Sequence, residues 1–222
     1  MIDSVLHIGK GDGCEVQQQH YALHSIVLAS SSPRRQALLQ SLNIALPIQI
    51  MASEVDEGTP QHWEPARIVE ELSLRKARAV REQLGDVAGA DENHLIIGAD
   101  TIVVLKGQVL GKPADTDEAR RMLNELQGNV HEVYSAIACI DRWNTRERVA
   151  HRVTRVHMKP LDSARIGRYV ASGEPMDKAG AYAIQGLGAS FVDRIDGCYF
   201  NVVGMSLSLL SDLLGDFGID VI

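Results

Sequence analysis

Two apolar runs, Leu95-Ile96-Ile97 and Ile102-Val103-Val104-Leu105, flank the short segment Gly98-Ala99-Asp100-Thr101. Both runs read as buried strand, and a carboxylate set between them is costly unless it faces a cation, water or a cleft. A Lys106-Gly107 turn leads on into a shorter strand, Gln108-Val109-Leu110. Around this centre the chain alternates between the two periods. Ser25 to Ala29 and Ile48 to Met51 read as strands, and a helix follows Ser32 and Pro33 with Leu38, Leu39 and Leu42 on its apolar side. A long helix begins near Pro65 and buries Ile68, Leu72, Ala77, Val80 and Leu84. Another runs from Thr116 towards Gly128, two long strands meet around Trp143 and Asn144, and a further helix spans Asp162 to Ala171. The glycine-rich passage Gly173 to Gly188 is expected to enter and leave a short strand, and an apolar helix closes the chain. Interleaved helices and strands predict an α/β fold with a mixed sheet.

The turn Leu28-Ala29-Ser30-Ser31-Ser32-Pro33-Arg34-Arg35 has the makings of an anion site. Small serines leave the backbone N–H groups and the positive end of the following helix open to an anion, and two guanidinium forks stand next to them. The plainer alternative is a capped surface helix with two solvated arginines.

Composition limits what such a site can serve. At 222 residues and 45% hydrophobic content the chain makes one sizeable domain or two closely fused lobes. A formal net charge of −7 argues against a broad nucleic-acid-binding face, so any phosphate has to be met by locally focused charge. No apolar stretch reaches membrane-spanning length, and residues 1–24 lack the apolar core of a secretory signal, which predicts a cytoplasmic protein with a mobile N-terminal extension. Cys14, Cys139 and Cys198 fit neither a disulfide framework nor a zinc site, and the eight histidines form no close ligand pair. Any metal here is expected to be hard and oxygen-bound.

Asp100 suits two roles, a ligand for Mg²⁺ or the acceptor that orients an attacking water, against a plain turn-forming aspartate beside Thr101. Asp56 and Glu57 in the acidic loop Ser53 to Gly58 offer further oxygen ligands. Lys76 and the Leu110-Gly111-Lys112-Pro113 segment add positive charge, although Pro113 stands where a P-loop needs Ser or Thr. Gln185 carries an amide that both donates and accepts, which suits it to the edge of a base.

The ordered blocks LASSSPRR, SEVDEG, LRKA, GADTIV, LGKP, GNVHEVYSAI, DKAGAYAIQG and YFNVVG resemble the Maf family of nucleoside triphosphate pyrophosphatases, and they run from Ile26 to about Leu214. The resemblance implies an elongated α/β fold like that of the inosine triphosphate pyrophosphatases, with a cleft between two lobes within residues 25–222, a homodimer, and Mg²⁺ or Mn²⁺ as cofactor. It places phosphate handling on Ser30 and Arg35, acid and lysine functions on Glu57, Lys76 and Lys112, and the proton acceptor on Asp100. Asp100 and Glu57 are the implied metal ligands. Base selection, in the subgroup acting on dTTP and UTP, falls on Arg34, Thr101 and Gln185. Met205-Ser206 and Cys198 depart from the family pattern at positions read as packing.

The expected reaction is attack of water on the α phosphorus, releasing nucleoside monophosphate and pyrophosphate without a covalent intermediate. A nucleic-acid polymer is not expected as a partner. Two alternatives stand beside it, a pyrophosphatase for 7-methyl-GTP or other modified nucleotides and a non-catalytic nucleotide sensor linked to division.

Overall fold

The computed structural model describes residues 22–86, 92–143 and 146–221. The expected extension up to residue 21, Cys14 and the Asn144 turn lie outside them. Seven strands form one mixed sheet: β1 (Leu23–Ala29), β2 (Ile48–Ile50), β3 (Asn93–Leu105), β4 (Gln108–Leu110), β5 (Val130–Asp141), β6 (Glu147–Met158) and β7 (Val192–Asp196). Their order is β2-β1-β3-β5-β6-β7, with β4 paired to the far end of β3. β1 runs parallel to both neighbours, and the other pairings are antiparallel. The helices are α1 (Pro33–Ser41), α2 (Pro65–Asp86), α3 (Thr116–Leu126), α4 (Ser163–Ala171), α5 (Tyr199–Val203) and α6 (Leu207–Gly215).

β1 begins at Leu23, two residues before the expected strand, and β3 runs unbroken through the segment that sequence reading set between two runs. β3 stays extended because it is covered on both faces. Leu95 and Ile97 pack with Leu38 and Leu39 of α1 and Leu210 and Leu214 of α6, whereas Ile96 packs with Ala77 and Val80 of α2. Further along, Ile102 and Val104 meet Ile68, Val69 and Leu72 of α2, and Val103 and Leu105 join α3 and α4. Period-2 alternation therefore puts Asp100 on the α2 side and Thr101 on the opposite one.

Helix starts follow capping chemistry. Asp115 Oδ1 accepts from the N–H groups of Asp117 and Glu118, and Asp162 Oδ1 accepts from Arg165. Ser206, read from the sequence as a packing position, occupies the N-cap of α6 with its hydroxyl accepting from Leu209. Ser32 holds the N-cap of α1, but its side chain makes no capping bond; its own N–H donates to Ser30 Oγ at 3.2 Å instead.

The passage from Gly173 to Gly188 contains no strand, contrary to expectation. It folds as short 3-10 turns at Glu174–Asp177, Ala179–Ala181 and Gly186–Phe191. Positive φ at Gly173, Gly180 and Gly186 keeps breaking the extended run that its apolar residues suggest.

Among the described residues no helix is long and apolar enough to cross a membrane. Cys139 lies buried in β5, where burial pushes its thiol up to about 12, so it is an inert part of the core.

His131 is 1% exposed, and its Nε2 lies 2.7 Å from the hydroxyl of Tyr182. Burial, reinforced by His157, lowers its pKa to about 4, below the ordinary 6.5 expected of an unfolded chain. His131 is neutral in the folded state, so the unfolded chain alone takes up its proton as pH falls from 6.5 to 4, and stability drops over that window. About 3 kcal/mol is expected to be lost there through this one group. Urea denaturation of the wild type and of His131→Gln at pH 7 and pH 4.5 checks it, the variant having the flatter pH dependence; equal slopes would remove His131 as the source.

Candidate active site

A cleft of about 480 Å³ opens at the C-terminal end of β1, and its lining includes all nine residues singled out in the sequence: Ser30, Arg34, Arg35, Glu57, Lys76, Asp100, Thr101, Lys112 and Gln185. They arrive from seven separate segments. The end of β1 supplies Ser30, α1 supplies Arg34 and Arg35, the loop before α2 supplies Glu57, and α2 itself supplies Lys76. Mid-β3 supplies Asp100 and Thr101, and the segments after β4 and after the second 3-10 turn supply Lys112 and Gln185. Five cationic side chains line this cleft against three carboxylates, a local excess of positive charge on a chain of net −7.

Lys76 Nζ sits 2.6 Å from Asp100 Oδ1 and 2.7 Å from Glu57 Oε1. Side-chain exposure separates the two carboxylates: 9% for Asp100 and 53% for Glu57. Asp100 is thus an enclosed charge satisfied by a cation, which is why an aspartate is tolerated within a buried strand. Glu57 is the solvent-facing partner. Its hydrogen bond to Lys76 holds its carboxyl below the ordinary range, with Lys112 and Arg35 adding to the effect.

The geometry of Lys76 and Asp100 is set by backbone contact. α2 lies so close to β3 that a Cβ on Gly98 would fall 2.1 Å from the carbonyl oxygen of Ser73 and 2.9 Å from the amide nitrogen of Ala77. The loop that carries Glu57 is tied to the same helix by Arg75, whose guanidinium donates to the carbonyls of Asp56 and Gly58 at 3.2 and 2.9 Å and to Glu71 at 3.1 Å. Arg75 was missed in the sequence, since an arginine beside the singled-out lysine on a polar helix gives no sign of reaching a loop 17 residues upstream.

On the opposite wall Arg35 donates from Nε to the Gly204 carbonyl and from a terminal nitrogen to Thr101 Oγ, both at 3.0 Å. Burial pulls its guanidinium below the usual value, with Asp100 opposing that effect. Thr101 also lies 2.8 Å from Ser135 Oγ, which donates to the Asn201 carbonyl. With its proton committed there, Ser135 accepts from Thr101, and the hydroxyl pair braces the Arg35 guanidinium. Arg34 forms a looser pair with Asp177, 3.6 Å away across the mouth. Lys112 and Gln185 present exposed side chains to the cleft.

The donor set fits the cation that the resemblance implies. Two carboxylates meeting at one ammonium group are hard oxygen donors, and among the described residues no cluster of three or more His, Cys, Asp or Glu forms a complete cage. Mg²⁺ or Mn²⁺ commonly binds through one or two carboxylates and takes its remaining ligands from substrate phosphates and water.

The chain is 52% identical over 200 residues to a dTTP/UTP pyrophosphatase of Pelotomaculum thermopropionicum, covering 90% of this chain and 100% of that one. It is 46% identical to a dTTP/UTP pyrophosphatase of Desulforamulus reducens with the same coverage. It is 47% identical over 196 residues to the dTTP/UTP pyrophosphatase of Gloeobacter violaceus, covering 86% and 95% of the two chains. A family model described as Maf-like protein matches residues 25–217, a span that holds the whole sheet from Ser25 onward and every residue of the cleft, and the chain therefore belongs to the Maf family.

Proposed function

We propose that the chain hydrolyses nucleoside triphosphates, dTTP and UTP foremost, to nucleoside monophosphate and pyrophosphate. The observation that carries this reading is the enclosed Lys76–Asp100 pair on the floor of a cleft whose walls bear Arg34, Arg35, Lys112 and Lys178. A triphosphate is a polyanion, and these cations offset its charge in a chain otherwise repulsive to it. The names of the relatives support the pyrimidine preference.

In this mechanism Arg35, braced by Gly204 and Thr101, and Lys112 hold the phosphates, and the Ser30 turn lines them up in register. Glu57 and Asp100 would hold the divalent ion, which when bound supplies Lewis-acid polarisation of the phosphoryl oxygens. Asp100 accepts the proton of the attacking water. One of its oxygens takes Lys76, and the second is available in the chemistry of a carboxylate for the proton. The O–P bond to water forms at the α phosphorus as the bond to the bridging oxygen breaks, and pyrophosphate leaves. Arg34 and Gln185 address the base, and Thr101 contributes through Arg35. A homodimer in the cytoplasm, a single two-lobed domain over residues 25–222 and a separate N-terminal extension belong to the same reading and rest on the resemblance and composition.

Product release from a panel of canonical and modified nucleoside triphosphates, with Mg²⁺ or Mn²⁺ and with pyrophosphate resolved from orthophosphate, tests it. Monophosphate and pyrophosphate from dTTP and UTP are expected. Turnover confined to 7-methyl-GTP would replace the substrate class, and nucleotide binding without turnover would replace the enzyme by a sensor.

A further inference from the structure

Gln185 stands in a segment with no regular secondary structure, between Ala183 and the last 3-10 turn, and its exposed amide reaches the cleft from there. A residue that reads a base must present its amide at one place, so something has to hold that segment. Glu174 and Tyr169 do so from beneath. The Glu174 carboxylate accepts from the N–H groups of Leu187 and Gly188, both at 3.0 Å, and from the Tyr169 hydroxyl at 3.0 Å. That hydroxyl accepts in turn from the Ala183 N–H at 3.2 Å. The backbone is therefore pinned two residues before Gln185 and two and three residues after it.

The support is itself rigid. Tyr169 is 4% exposed and packs edge-on against Phe191 with ring centroids 4.8 Å apart. Both glycines of the segment make room for the bracket. A Cβ on Gly186 would stand 2.7 Å from Glu174 Oε2, and one on Gly188 would stand 2.7 Å from the Tyr169 hydroxyl. The turn that begins at Glu174 ends at Asp177, the partner of Arg34, so one short segment touches both walls from which the base is addressed.

We propose that Glu174, anchored by Tyr169, is the positioning residue for base selection, fixing Gln185 at the cleft through the backbone of residues 183–188. The inference rests on the pyrimidine triphosphate reading above, which gives Gln185 its substrate.

The test is Glu174→Gln in the full chain, with Tyr169→Phe as a milder variant that keeps the ring. In Glu174→Gln, amide hydrogen exchange at Leu187 and Gly188 is expected to quicken about tenfold, as for loss of one charge-assisted hydrogen bond. The kcat for dTTP is expected to stay within about twofold while KM rises about tenfold and the dTTP-over-GTP ratio of kcat/KM falls by a similar factor. Adding Gln185→Ala to Glu174→Gln is expected to lower that ratio no further, because the two act as one unit. Unchanged exchange, an unchanged ratio, or an additive double variant would overturn the proposal. Should the wild type release no pyrophosphate from dTTP or UTP, the functional reading fails by itself. Amide exchange, with the relative affinities for non-hydrolysable α,β-imido analogues of dTTP and GTP, then still decides for or against the bracket.

Discussion

Asp100→Asn is expected to lower kcat for dTTP by about 10²–10⁴-fold, the range typical of a lost general base, with KM changed much less. Asparagine has nearly the shape of aspartate and keeps an oxygen for Lys76 Nζ, now 2.6 Å away, and Lys76 retains Glu57 as counter-charge at 2.7 Å. No unpaired ammonium is left behind, so the variant is expected to fold, with its circular dichroism spectrum superimposable on that of the wild type. What it loses is the negative oxygen that takes a proton in the proposed mechanism. Pyrophosphate release under saturating dTTP, on protein shown to be folded, is the measurement. Activity within about tenfold of wild type would take the acceptor role from Asp100 and leave Glu57 as the carboxylate to examine.

Gly98→Ala is expected to cost about 3 kcal/mol and lower Tm by roughly 6–12 °C, although it adds a single methyl group. The added Cβ would lie 2.1 Å from the Ser73 carbonyl oxygen, a backbone atom that no rotamer change can move aside. α2 must lift from β3 to admit it. Lys76 stands between Ser73 and Ala77 on that helix, and Asp100 stands two residues along the strand, so lifting the helix opens their 2.6 Å contact. A shift of about 1 Å in a reacting constellation commonly loses on the order of 10²-fold in rate. Gly85→Ala on the same helix is the control. No atom lies within 4 Å of a Cβ there, and replacing a helical glycine is expected to add up to about 1 kcal/mol of stability. Thermal melts of the two variants with initial rates decide the matter; equal melts would mean that α2 and β3 are not locked at this point.

Much of this was legible in one dimension because the signals are local. Apolar periodicity announces α2 and the ends of β3, and small residues ahead of two arginines announce the turn beneath the cleft. The unbroken run of β3 through Asp100 was not legible, since the charge is tolerated only because Lys76, 24 residues earlier, reaches it. The absence of a strand between Gly173 and Gly188 was hidden for a similar reason. Its alternating apolar residues imitate a strand, while the bonds that hold it, from Glu174 to Leu187 and Gly188, span 13 and 14 residues. Arg75, Ser135 and Glu174 went unnoticed because each acts on backbone or on another side chain that already carried the signal.

The strand order has a bearing on how the molecule reaches its working state. β5 and β6 pair as neighbours across a short connection, so they close with little loss of chain entropy. The parallel pairing of β1 with β3 closes instead over α1, β2 and α2, and the cleft needs residues spread from Ser30 to Gln185. Loop-closure entropy orders these events, the local hairpin early and the distant segments late. Regain of turnover is therefore expected to lag behind the first sheet signal, which comes from the β5–β6 hairpin, and to coincide with closure of β1 onto β3.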